Sequence, residues 1–208
     1  MAEESIYIIG IAGGSASGKT TVIEELKKYF KNSELTVISQ DHYYRGLSEQ
    51  VIDQNGEINF DRPEGIDFTR LVKDIKKLRK GEDVHLVEYT FNNPKKFPKP
   101  IVFKPARVVV IEGLFIYQHK ALQKFMDLKV FIDARLDVML ERRLRRDSKE
   151  RGMTRKQIIY QWENHVMPAY EEFLLPHRDD VDLILVNNTH FKNSFQVLCD
   201  HIQAKLHA

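Results

Sequence analysis

Ile6-Tyr7-Ile8-Ile9-Gly10-Ile11-Ala12-Gly13-Gly14-Ser15-Ala16-Ser17-Gly18-Lys19-Thr20 is the stretch on which the architecture of this chain turns. Ile6 to Ala12 is short, apolar and rich in β-branched residues, which suits a strand buried on both faces. From Lys19 the period changes. Val22, Ile23, Leu26, Tyr29 and Phe30 recur at helical spacing with Glu24, Glu25, Lys27 and Lys28 between them, the pattern of an amphipathic helix. The segment between fits G-x-x-x-x-G-K-[ST] in the strand–loop–helix setting that gives the motif its meaning. Glycines let the backbone curl until successive N–H groups face one centre, and the helix N-terminus adds its positive end, a cradle for phosphate oxygens. Lys19 brings a compact charge for the β and γ phosphates, and Thr20 a hydroxyl for magnesium. A chance match has odds of roughly one in a hundred before the setting is counted, so the phosphate reading outweighs that of a Gly-Ser turn.

Outward from this loop, strands and helices alternate. Leu35 to Ser39 reads as a second strand ending before Gln40 and Asp41. Residues 42–66 lack periodicity and read as a long functional excursion on the substrate side. Asp67 caps a helix through Leu71, Ile75 and Leu78 that Gly81 stops. Val84 to Phe91 and Ile101 to Phe103 flank a polar, Pro-rich tip, a hairpin insertion over 84–103. Val108 to Ile111 is a buried strand ending at Glu112-Gly113, and Leu128 to Ala134 another. Charged helix follows from Leu136 to about Glu150, a second helix runs from Thr154 towards Phe173, and Leu183 to Val186 and Phe195 to Leu206 close the chain with a strand and a helix. The predicted fold is α/β: one domain over residues 1–208, a parallel sheet of the P-loop NTPase type with helices on both faces, the hairpin, and a helical lid near 142–156.

Composition narrows the function classes. With 32 basic against 30 acidic residues the net charge is +2, too balanced for bulk nucleic-acid binding. One cysteine, Cys199, excludes an intrachain disulfide and a cysteine-built zinc site; between Val197 and Ile202 it reads as a small core residue. No apolar run is long enough to span a bilayer. The residues before Ile6 include Glu3 and Glu4 and no basic residue, wrong for a secretory signal, so a cytoplasmic enzyme is expected.

In parallel sheets ligands gather beyond the carboxyl ends of the strands, and those ends carry Gly13, Asp41 and Glu112. Glu112 suits the magnesium shell. Asp41, if its strand neighbours the first, can reach a γ-phosphate and an incoming hydroxyl, to accept its proton or orient it; an Asx turn is the plainer reading of the same residue. Arg142, Arg143, Arg145, Arg146 and Arg151 crowd one segment, with Arg143 and Arg146 on one helix face beside Asp147. Beside a phosphate loop, an arginine flap closing over ATP outweighs a solvated helix face. Of eight histidines only His42, next to Asp41, lies near this chemistry, and the others carry no assigned role. The residues thus point to an ATP-dependent kinase.

The chain resembles the uridine (uridine/cytidine) kinases over nearly its whole length. The resemblance is carried by the phosphate loop, Ser39-Gln40-Asp41-His42-Tyr43-Tyr44, Asn59-Phe60-Asp61-Arg62-Pro63, Val84 to Phe91, Ile111-Glu112-Gly113, Arg142 to Gly152 and Gln161 through Pro176. It implies transfer of the γ-phosphate of ATP or GTP to the 5′-hydroxyl of uridine or cytidine, with magnesium, in pyrimidine salvage, by an enzyme that is often a homotetramer. It further implies catalytic roles for Asp41, Lys19 and Arg146. Nucleotide binding falls to Gly13, Gly14, Ser15, Ala16, Ser17, Gly18, Lys19, Thr20, Thr21 and Arg151, and metal binding to Thr20 and Glu112. Acceptor binding falls to Tyr44, Asp61, Tyr89, Phe91, Arg143, Arg146 and Gln161. No nucleic-acid or membrane partner is expected.

Two positions depart from the family pattern. Pro94 stands where members place a histidine that reads the pyrimidine edge, and Met153 where many carry an arginine after Arg151-Gly152. A pocket short of polar contacts separates analogues poorly. The choice of acceptor therefore stays open to another nucleoside or small alcohol, as in phosphoribulokinase- or pantothenate kinase-like enzymes. A nucleotide-hydrolysing switch is the weaker alternative, since no N-K-x-D guanine motif occurs.

Overall fold

The computed structural model describes residues 6–91 and 97–207. In chain order the strands are β1 (Tyr7–Gly13), β2 (Leu35–Ser39), β3 (Val51–Ile52), β4 (Ile58–Asn59), β5 (Val84–Val87), β6 (Pro100–Phe103), β7 (Val108–Glu112), β8 (Leu128–Asp133) and β9 (Leu183–Val186). The helices are α1 (Lys19–Tyr29), α2 (Phe68–Arg79), α3 (Lys120–Gln123), α4 (Leu136–Glu150), α5 (Arg155–Gln161), α6 (Met167–Ala169), α7 (Leu175–Arg178) and α8 (Lys192–His207). Five strands form one parallel sheet in the order β2-β7-β1-β8-β9. β5 and β6 pair antiparallel as the expected hairpin, and β3 pairs β4 in a smaller one.

Side chains alternate across a strand, and the core splits accordingly. Ile9, Ile11, Val108, Val110, Val130 and Ile132 face α1 and α8, where Val22, Leu26, Leu198, Cys199 and Ile202 meet them. Ile8, Val109, Ile111 and Phe131 face the other way, against Leu71, Ile75 and Leu78 of α2 and Trp162, Val166 and Tyr170. Both faces are covered, so the strands are apolar throughout rather than alternating. The Asp67 carboxylate accepts from Arg70 N at 2.9 Å and starts α2, and Gly81 at φ 77 follows its end.

The structure departs from the sequence reading in several places. β2 does not neighbour β1: β7 lies between them, because β7 is buried along its length and serves both partners. Residues 42–66 hold the end of one short 3-10 turn (Gln40–Tyr43), two more (Leu47–Glu49 and Pro63–Gly65) and the β3–β4 hairpin rather than open loop. The β5 strand ends at Val87, so Tyr89 and Phe91 lie beyond it. Tyr29 is exposed while Phe30 is buried. The helix after Thr154 runs on through Arg178 as α5 to α7, with π-helical turns at Trp162–Val166 and Tyr170–Leu174. Pro94 and most of the hairpin tip lie outside the described residues.

Candidate active site

The loop after β1 has the curl that its residues permit. Ala16 and Gly18 have positive φ, 63° and 100°, and Ser17 N donates to Gly14 O at 3.1 Å. A Cβ on Gly18 would lie 2.0 Å from Asn187 Nδ2, so the position needs glycine for space as well as for φ. Asn187, buried at the end of β9, donates from Nδ2 to Ser17 O at 2.8 Å, and Arg142 Nη1 donates to the same carbonyl at 3.3 Å. Because the peptide is planar and trans, fixing that carbonyl turns the Gly18 N–H the opposite way, away from Asn187. Asn187 is support the sequence reading missed; its position at a strand's carboxyl end was the available signal.

The order β2-β7-β1 brings the two strand-end acids, Asp41 and Glu112, and the lysine together. Glu112 ends β7, and Ser39 of β2 is its register partner. Lys19 Nζ lies 3.1 Å from Glu112 Oε2. Burial opposes the lysine's charge, but Glu112 and Asp41 outweigh it and raise its pKa. Burial likewise opposes the charge of Glu112, yet Lys19 and a hydrogen bond from Ser39 hold its carboxyl below the usual range. Ser39 Oγ also accepts Asp41 N at 3.2 Å. At Asp41 the balance falls the other way: burial first, and the Glu112 charge second, push it up to about 6 against the pull of Lys19 and Arg151. Next to it Gln40 Oε1 accepts Phe115 N at 2.9 Å, and its side chain fills the space where a Gly113 Cβ would sit, 2.1 Å away. Gln40 thereby ties the ends of β2 and β7.

Across the gap stand the aromatic residues and the second carboxylate. Tyr44 stacks on Tyr89 at 5.4 Å and meets Phe91 edge-on at 5.1 Å. Phe60, which the sequence reading passed over beside Asp61, completes the cluster 5.7 Å from both Tyr44 and Phe91. The buried Tyr89 hydroxyl has no hydrogen-bond partner among the described residues. Burial raises the Asp61 pKa in spite of Arg143, His165, Arg151 and Arg146 around it. Asp41 and Asp61 both act on Tyr44, whose pKa burial drives well above its ordinary value. These groups therefore share one site.

The arginines converge on Asp147, which is fully buried. Arg146 Nε lies 2.8 Å from it, Arg143 Nε 3.3 Å and Arg151 Nε 3.5 Å. Arg143 is buried, donating to Ser15 Oγ at 2.8 Å and to Gln161 Oε1 at 2.9 Å, so it spans from the loop after β1 to α5 instead of lying on a solvated face. Asp61 faces the same three guanidiniums, so they lie between Asp147 and the carboxylates of the site. Thr20 and Thr21 are exposed in the first turn of α1. His42 Nδ1 accepts a 3.5 Å contact from Tyr89 N. Met153 is tied by its backbone N–H to Asp147 O at 3.1 Å.

The phosphoribulokinase / uridine kinase family matches this chain over residues 8–191. The chain belongs to that family. Within it, the chain is 35% identical to a uridine kinase of Staphylococcus haemolyticus, covering 94% of this chain and 95% of that one. It is 32% identical to uridine-cytidine kinase B of Dictyostelium discoideum, covering 96% and 82%. Among solved structures, phosphoribulokinase from Rhodobacter spheroides superposes with a TM-score of 0.64 at 17% identity, over 88% of this chain and 70% of that one; this likeness speaks to the fold. A member of the phosphoribulokinase/uridine kinase family, the chain is a P-loop kinase.

Proposed function

We propose that the chain transfers the γ-phosphate of ATP or GTP to the 5′-hydroxyl of a pyrimidine ribonucleoside, uridine or cytidine, in pyrimidine salvage. The observation that carries this is the juxtaposition of the loop's Lys19 and Glu112 with Asp41, Asp61 and the cluster of Tyr44, Tyr89, Phe91 and Phe60. Aromatic faces suit a flat base, the unpartnered Tyr89 hydroxyl is available to its polar edge, and a carboxylate can accept from two ribose hydroxyls at once. In this reading Gly13 to Thr21 cradle the donor phosphates, and Arg143, Arg146 and Arg151 counter the charge that develops on the transferred group. Gln161 acts on the acceptor side through Arg143.

Asp41 receives the acceptor. The 5′-oxygen forms the new bond to the γ-phosphorus as the bond to the β-phosphate oxygen breaks, and the hydroxyl proton passes to the Asp41 carboxylate as ADP forms. A carboxyl near 6 is a better base than an ordinary aspartate near 3.9 while still ionised at neutral pH. Among the described residues no three His, Cys, Asp or Glu side chains form a cage for a cation. Magnesium takes one or two protein oxygens and completes its shell with water and phosphate; Thr20 and Glu112 would hold it. When bound, it neutralises phosphate charge. The family resemblance extends the reading to a cytoplasmic homotetramer, which light scattering checks.

An acceptor panel tests the reading: ADP formation measured with uridine, cytidine, purine nucleosides, phosphoribulose, pantothenate and no acceptor. ADP formation dependent on uridine or cytidine is expected. Preference for a non-nucleoside alcohol would replace the acceptor, a possibility that Pro94 and Met153 keep specific to this chain. Turnover without any acceptor would replace the kinase with a switch.

A further inference from the structure

The segment that carries Asp61 is held on both sides by the helix run α5 to α7. Before it, the turn of the β3–β4 hairpin presents Asp53. One carboxylate oxygen accepts Asn55 N at 2.8 Å and Glu57 N at 2.9 Å, which shapes the turn. The other lies 2.8 Å from His165 Nε2 and accepts the Tyr160 hydroxyl, and that hydroxyl in turn accepts Asn55 Nδ2 at 2.6 Å. After Asp61, Arg62 reaches Glu172 at 3.0 Å and lies over the Phe173 ring. His165 falls in the first π-helical turn and Glu172 and Phe173 in the second. Widened turns of this kind re-aim side chains and gather at functional sites.

The two clamps differ in weight. Glu172 is more than half exposed, and exposed ion pairs contribute little. His165 is 2% exposed and Asp53 12%, so their bond is sheltered and strong for its kind. Between the clamps, Asn59 Oδ1 accepts Asp61 N at 2.9 Å and Tyr44 OH donates to Phe60 O at 2.9 Å. The Asp61 carboxylate is thus placed by a short backbone segment whose anchorage lies outside it. Tyr160 also adjoins Gln161, which holds Arg143.

We propose that Asp53, Tyr160 and His165 are positioning residues: they latch the β3–β4 hairpin to the α5–α7 helix run and thereby hold the Asp61 carboxylate where the acceptor's hydroxyls need it. This rests on the acceptor reading of Asp61. A carboxylate that grips a diol must stay within about 0.5 Å of its working position, so releasing the latch weakens the acceptor and spares the donor.

Steady-state kinetics with uridine and ATP test it in Asp53→Asn, His165→Ala, His165→Gln, Tyr160→Phe and Asp61→Asn. Asp53→Asn and His165→Ala are expected to raise the uridine KM roughly tenfold, leaving the ATP KM within about twofold. His165→Gln, which keeps an N–H donor of similar reach, recovers most of the loss. Tyr160→Phe, which removes only a hydroxyl, gives a smaller rise of the same kind and serves if His165→Ala does not fold. An unchanged uridine KM in Asp53→Asn and Tyr160→Phe, with Asp61→Asn raising it, would overturn the latch alone. Both KM values rising together would reduce it to a general structural contact. No turnover of uridine by the unaltered chain, or indifference to Asp61→Asn, would remove the acceptor reading and the latch with it.

Discussion

Asp41 and Glu112 sit at the ends of two adjacent strands, yet their carboxyls shift in opposite directions. Glu112 gains Lys19 and Ser39, whereas at Asp41 burial and the Glu112 charge outweigh Lys19 and Arg151. Pairs pushed apart in this way mark different assignments, one group fixed in its charge and the other able to take a proton. If Asp41 is the base, kcat/KM rises with pH through about 6, and Asp41→Asn lowers kcat by roughly 10^2 to 10^4 and erases that limb. Stability moves the other way. The folded pKa is raised above the ordinary aspartate value of about 3.9, so the folded state binds the extra proton between the two values. The carboxyl's contribution to stability is fullest below the lower one and declines as pH rises through about 6. Asp41→Asn should therefore keep or raise Tm at pH 8, measured calorimetrically; a lower Tm there would contradict the unfavourable setting assigned to this carboxylate. Asp147 is the opposite case, a buried carboxylate answering three guanidiniums. Asp147→Asn strands buried Arg143 and is expected to cost about 3 kcal/mol or more of unfolding free energy, read by denaturant titration.

Elements were legible in the sequence wherever one local pattern decided them. The apolar run into Gly13, the helical period after Lys19, the Asp67 cap and the hairpin all follow from neighbours in the chain. What the chain could not display locally is who pairs with whom. The insertion of β7 between β1 and β2 depends on residues 73 and 101 positions apart, as in Leu35↔Val108 and Tyr7↔Val108, and it is this order that sets Glu112 between Lys19 and Asp41. The β3–β4 strands are two residues each, too short for a period to register, and π-helical turns keep the apolar spacing of an ordinary helix. His165 was therefore passed over, and so was Asn187, whose role depends on β9 ending beside the phosphate loop. The orientation of the Ser17–Gly18 peptide gives that pairing a consequence. Asn187→Ala removes the donor at 2.8 Å and opens space against Gly18, so the loop relaxes towards turns less suited to phosphate. A rise of roughly tenfold in the ATP KM, with the uridine KM little changed, is expected. A matching loss in both would assign Asn187 to the core instead.

At the scale of the whole molecule, the candidate site is assembled from stretches that run from Gly13 to Gln161, on strand ends, loops and the helices α1, α4 and α5. A site so distributed is held by the fold, and the fold is held by two apolar layers on either side of the sheet. Among the described residues, no group of three or more His, Cys, Asp and Glu could hold a metal ion. Under the proposed function, magnesium would enter with the nucleotide and be held by Thr20 and Glu112. A ligand that binds the folded chain alone at a hundred times its Kd stabilises it by about 2.7 kcal/mol, which in a chain of this size raises Tm by roughly 5 to 10 °C. Magnesium with ATP should produce a shift of that order in differential scanning calorimetry, and adding a chelator should abolish both the shift and turnover. The chelator alone should leave Tm where it was, because it removes nothing the core depends on. A fall in Tm with chelator and no nucleotide would instead reveal a cation built into the fold, and Glu112 would then serve structure before catalysis.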